Sequence, residues 1–230
     1  MNNIVWIFSG ITFCLTAAYI VALILDIQNL KSFTSYYIAP MAGGIFLGLL
    51  FNFRPDTYHS LYLTTVALIL LLISTIFFSF STLKPGLKIP AGFFFFFNIC
   101  VWIELFRTIL YLKKVNQIFL ILMIIIYISI YIIFFIIQKD FKISVLIKKL
   151  PLYTAICILH FLALLSLIKD AGLYSALLTG GTSLLLIIYS IKYLLNNKIR
   201  LSNRTLSLFE VLFNTAAQCL IAAAAYTMVY

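Results

Sequence analysis

Eight times along the chain an apolar run about as long as a membrane is thick closes on charge, Pro or Asn. The runs are residues 4–26, 37–53, 60–81, 91–112, 117–138, 152–168, 173–194 and 206–229. A helix needs about 20 apolar residues to span a bilayer, with roughly 17 to 25 tolerated, so each run qualifies. The breaks sit where turns are needed, at Arg54-Pro55-Asp56, Lys84-Pro85-Gly86, Lys113-Lys114, Leu150-Pro151, Asp170-Ala171-Gly172 and Asn196-Asn197-Lys198. The runs lack the alternation of a transmembrane strand, and a helix satisfies its own backbone in lipid. The prediction is an all-α polytopic membrane bundle of eight transmembrane helices, forming a single integral membrane domain over residues 1–230.

Composition excludes the soluble alternatives. The chain is 64% hydrophobic and 10% charged, with a mean hydropathy of +1.16, whereas a globular domain is about half apolar and about a quarter charged. A soluble enzyme, a nucleic-acid binder and a disordered protein are all ruled out, although a net charge of +10 in a soluble chain would have pointed to a polyanion. Here the charge reports topology. Lys31, then Lys84 and Lys88, then Lys139, Lys142, Lys148 and Lys149, then Lys198, Arg200 and Arg204 fall at the odd-numbered connections. By the positive-inside rule those connections are cytoplasmic and both termini are extracytoplasmic. The expected location is a bacterial inner membrane. The first run lacks the basic start and short apolar core of a signal peptide, so it is expected to remain as a helix.

Few residues inside the runs carry chemistry. Cys14, Cys100, Cys157 and Cys219 are far apart in apolar surroundings and read as small hydrophobes. No HExxH, GxSxG, Walker loop or CxxC occurs, so neither a metal nor a cofactor is expected and no catalytic residue is assigned. Glu210, Asn214 and Gln218 recur at intervals of four, which places them on one face of the last helix. A polar stripe of that kind belongs toward the bundle interior or a wet cavity. Lys192 falls at comparable depth on the preceding helix, and an ion pair with Glu210 is predicted. With Ser190, Tyr189, Asn98 and Ser74, these residues outline a candidate cavity facing the cytoplasm. Glu104 and Arg107, three apart, read as a structural pair. His160 reads as a packing residue, and Gly43-Gly44 and Gly180-Gly181 as points of close helix approach.

The segment Thr215-Ala216-Ala217-Gln218-Cys219-Leu220-Ile221-Ala222 resembles the closing Tyr-x-x-Ala-Gln-x-Leu-Ile-Ala segment of the YhhN family of membrane lysoplasmalogenases. The helix carrying Gly180, Gly181 and Ser190 is similar in spacing to that family's Gly-x-Leu-x-Phe-x-x-Ser-Asp helix. The motif match is confined to the C-terminal third; the rest is similar in helix count and layout. The resemblance implies a lysophospholipid-type ligand and, in the family, hydrolysis of its vinyl-ether bond by intramembrane acids. Here Ser190 is followed by Ile191, and the third run reads Leu71-Leu72-Ile73-Ser74-Thr75 without an acid. Vinyl-ether hydrolysis needs a proton donor and a base, so ligand binding is expected and hydrolysis is not. Membrane lipids are the expected partners. The alternative is a structural or accessory subunit with a protein partner in the membrane, or a small transporter.

Overall fold

The structure, a computed structural model, describes residues 3–52, 58–81, 83–109, 125, 129, 143–194 and 203–228, with backbone alone at 109, 143–149, 191–194 and 203–207. It is all-helical among these residues. The helices are α1 (Asn3–Ile24), α2 (Gln28–Leu50), α3 (Tyr58–Phe80), α4 (Lys88–Ile109), α5 (Ile143–Lys169), α6 (Leu173–Leu194) and α7 (Asn203–Thr227), with a short 3₁₀ turn at Pro85–Leu87 leading into α4. All seven are long and apolar enough to cross a membrane, which fits an integral membrane protein. Of the predicted span 117–138, only residues 125 and 129 are among those described.

Two helix starts differ from the prediction. Residues 37–53 were expected as a span, yet α2 begins at Gln28. The connection before it is compressed by a tight helix end. Asp26 adopts a left-handed φ of 57°, and the Ile27 N–H reaches back to the Ala22 carbonyl at 3.0 Å, the six-to-one bond of a Schellman turn. Asp tolerates that backbone because its short polar side chain bonds locally; here it accepts from Gln28 Nε2 at 3.1 Å. Lys31, read from sequence as a loop residue, therefore sits in the first turn of a helix. Likewise α5 starts at Ile143, not 152, and runs through Pro151, which sequence places at a break. A proline inside a helix removes one hydrogen bond and does not have to end it when packing holds the rest.

Six helices form a closed cycle of neighbours: α2 packs on α3, α3 on α4, α4 on α5, α5 on α6, α6 on α7, and α7 returns to α2. The α1 helix lies outside this cycle, against α2. The centre is filled by Leu71, Ile99, Trp102, Leu105, Phe106, Ile156, Leu159, Leu178, Leu185 and Ile221, all fully buried. Large apolar side chains such as Trp6, Phe13, Tyr62, Phe93 and Leu212 are exposed on the outside, as lipid-facing surface requires.

Glycines set two of the helix contacts. A Cβ on Gly44 would lie 2.5 Å from the Phe8 ring, and one on Gly48 would lie 3.1 Å from the Val5 backbone nitrogen, so the Gly44-x-x-x-Gly48 face lets α1 close on α2. On α6, a Cβ on Gly181 would meet the Ala217 carbonyl oxygen at 2.9 Å. This contact brings α6 against α7 at the Gln218 end of the polar stripe read from sequence.

Candidate functional site

The N-terminal segments of α2 and α7 line a half-open cavity of about 300 Å³. From α2 come Gln28, Lys31, Ser32, Ser35 and Tyr36; from α7 come Glu210, Val211 and Asn214. On α2 the positions 28, 31, 32 and 35 follow the three-and-four spacing of one helix face, and on α7 the positions 210 and 214 are one turn apart. Two polar faces have been turned toward each other at the N-terminal ends of α2 and α7, where Gln28 is exposed and Lys31 is buried.

Lys31 dominates the electrostatics. Its side chain is only 7% exposed, and among the described residues its ammonium makes no hydrogen bond or ion pair. A charged side chain in a membrane helix costs roughly 2.5 to 3.5 kcal/mol at the bilayer centre and less toward its ends. Lysine usually avoids that cost by snorkelling to water. Lys31 reaches the cavity, so the cavity is where its charge is solvated. Glu210, partly buried on the facing wall, supplies the opposite sign, and the amides of Gln28 and Asn214 and the hydroxyls of Ser32, Ser35 and Tyr36 supply neutral donors and acceptors. The arrangement is a polar chamber with a cation on one wall and a carboxylate on the other, suited to a compact polar or charged group.

The residues singled out from sequence divide between the chamber and the packing around it. Glu210 and Asn214 line the chamber. Gln218, one turn further along α7, is completely buried, and neither of its amide atoms has a hydrogen-bond partner among the described residues. Ser74 and Asn98 hold α3 to α4: Ser74 Oγ donates to the Ala91 carbonyl at 2.8 Å, and Asn98 Nδ2 donates to the Ala67 carbonyl at 2.7 Å. Tyr189 stacks on Phe95 with ring centres 5.9 Å apart and packs against the core, while Ser190 is half-buried on α6. The side chain of Lys192 lies outside the described residues, as does its predicted pairing with Glu210. Sequence reading missed Lys31 as a site residue. The signal that could have found it is the polar spacing Gln28, Lys31, Ser32, Ser35 just ahead of an apolar run, which continues the helix face instead of ending it.

Other polar groups knit neighbouring helices. His160 Nδ1 lies 3.0 Å from Thr182 Oγ1. That hydroxyl also lies 2.9 Å from the Leu178 carbonyl and 3.1 Å from the Thr179 carbonyl of its own helix. Thr179 Oγ1 donates to the Ala163 carbonyl at 3.2 Å. Arg107 and Glu104 form a two-pronged pair, Nη2 to Oε1 at 2.7 Å and Nε to Oε2 at 2.8 Å, with both side chains about half exposed. Among the described residues, no three His, Cys, Asp or Glu side chains gather as a metal site would need. Compared with known proteins, the chain matches no family model, no curated protein and no solved structure.

Proposed function

We propose that this protein binds a lysophospholipid-type amphiphile, with the ligand's polar headgroup in the chamber between α2 and α7 and its chain along the apolar outer surface. The reading includes no hydrolysis, and it places the chamber on the cytoplasmic side of a bacterial inner membrane. The observation that carries it is the buried Lys31 ammonium, which opens on a cavity of about 300 Å³ shared with Glu210. That volume is at the small end of ligand pockets, suited to a headgroup and too small for a whole lipid. A phosphate is the natural counter-charge for Lys31, which acts as a point charge. The chamber also lies at the first turns of α2, where the helix dipole favours an anion. Basic residues concentrated at the odd-numbered connections support the inward orientation. The polar groups that could have formed a separate catalytic pair are otherwise placed: Glu104 is held by Arg107, and the third and sixth helices carry no acid.

The test is native mass spectrometry of detergent-purified protein with 1-acyl lysophosphatidylethanolamine. The wild type retains one lipid per chain and Lys31→Gln loses it. Equal retention by both proteins would sink the reading.

A further inference from the structure

The connection between α3 and α4 carries two cations without a counter-charge among the described residues. Lys84 and Lys88 bracket the 3₁₀ turn at Pro85–Leu87. Both are exposed, and neither ammonium makes a hydrogen bond or ion pair among the described residues. No acidic residue occurs in the sequence between Asp56 and Glu104. At the rise of a 3₁₀ turn, roughly 2.0 Å per residue, the two lysine backbones stand about 8 Å apart, so both flexible side chains can reach one phosphate. Apolar side chains flank them: Leu83 is 78% exposed and Ile89 79%. Exposed apolar groups interleaved with lysines suit a membrane surface, where the apolar groups enter the acyl region and the ammonium groups stay among the phosphates.

From Ile89 the exposed apolar face of α4 continues through Phe93 and Phe97, each one turn beyond the last, with the two phenylalanine rings edge to face at 4.7 Å. The eight residues from Ile89 to Phe97 rise about 12 Å, most of one leaflet in a hydrocarbon core of about 30 Å. We propose that this face holds one anionic phospholipid, its phosphate between Lys84 and Lys88 and an acyl chain along Ile89, Phe93 and Phe97. The site is separate from the chamber between α2 and α7 and differs from it in charge. There Lys31 faces Glu210 across the cavity, so a headgroup amine meets a carboxylate. At the α3–α4 connection an amine would meet only cations, so the site favours a lipid of net negative charge, to which each nearby lysine adds attraction.

Native mass spectrometry of the detergent-purified protein, titrated with phosphatidylglycerol and with phosphatidylcholine of the same acyl chains, tests the site. The wild type takes up a first phosphatidylglycerol in preference to phosphatidylcholine. The double variant Lys84→Gln, Lys88→Gln weakens that first phosphatidylglycerol about thirtyfold, the worth of two lysines at an anionic surface, and leaves phosphatidylcholine uptake unchanged. Lys31→Gln, which alters the chamber alone, keeps the phosphatidylglycerol. Equal uptake of phosphatidylglycerol by the wild type and the double variant overturns the proposal, because the lysines then hold no particular lipid. Its loss in Lys31→Gln also overturns the proposal, because the anionic lipid then occupies the chamber.

Discussion

Lys31 on α2 and Glu210 on α7 line one cavity, although sequence puts them near opposite ends of the chain. The pairing exists because α7 closes the cycle of helices against α2. The first prediction concerns the sign and shape of the charge. Lys31→Arg, which keeps the charge, should retain lysophospholipid binding within a few-fold. Lys31→Met should lose at least tenfold, about 1.4 kcal/mol, while unfolding in detergent at the wild-type temperature or above, because it removes a buried charge. Loss of folding in Lys31→Met would mean that the ammonium is structural.

Glu210→Gln tests the facing wall. If the carboxylate holds a headgroup amine, the variant should weaken binding of ethanolamine and choline lysolipids and leave lysophosphatidic acid, which has no amine, unchanged or tighter. Competition between these lipids in one binding assay reads the ratio directly. A uniform loss across all three headgroups would assign Glu210 to the architecture of the chamber.

The hydrogen bond from Asn98 to the Ala67 carbonyl is a packing contact. Asn98→Leu should destabilise the protein by roughly 0.5 to 2 kcal/mol, the range for such bonds between membrane helices, seen as a lower midpoint in thermal unfolding. Lysolipid affinity, measured below that midpoint, should not change. An affinity loss without a stability loss would return Asn98 to the binding site.

The two neighbouring glycines of α6 should behave differently. Gly181→Ala places a methyl 2.9 Å from the Ala217 carbonyl and forces α6 and α7 apart, at a cost of roughly 1 to 3 kcal/mol. Gly180→Ala meets only Leu220 Cδ1 at 3.6 Å, an ordinary contact, and should be neutral or slightly stabilising through helix propensity. Paired unfolding curves decide it.

The helices were legible in the sequence because uninterrupted apolar length is a sufficient signal for a membrane span, and the interval of four from Glu210 to Asn214 was legible as one face. Their partner was not. The stretch Gln28–Tyr36 is polar enough to read as a connection, and only the left-handed turn at Asp26 shows that the helix has already begun there. Which helices are neighbours is likewise not written in hydropathy, so α2 as a second wall, with Lys31 on it, is not foreseen, while the expected pairing of Lys192 with Glu210 lies outside the described residues. Ser74 and Asn98 had the right composition for a cavity wall, but a lone polar residue in a span serves equally well to bond a neighbouring backbone. Between α3 and α4 each of them bonds a backbone carbonyl of the neighbouring helix.

The central claim is that a lysophospholipid headgroup occupies the chamber between α2 and α7. A lysophosphatidylethanolamine carrying a photoreactive group on its amine tests it most directly, by crosslinking in nanodiscs followed by peptide mapping. The account predicts adducts concentrated on residues 28–36 and 208–214, displaced by excess unlabelled lysolipid and lost in Lys31→Gln. Adducts spread along the exposed face of α1, around Trp6 and Phe13, and indifferent to competitor would contradict it.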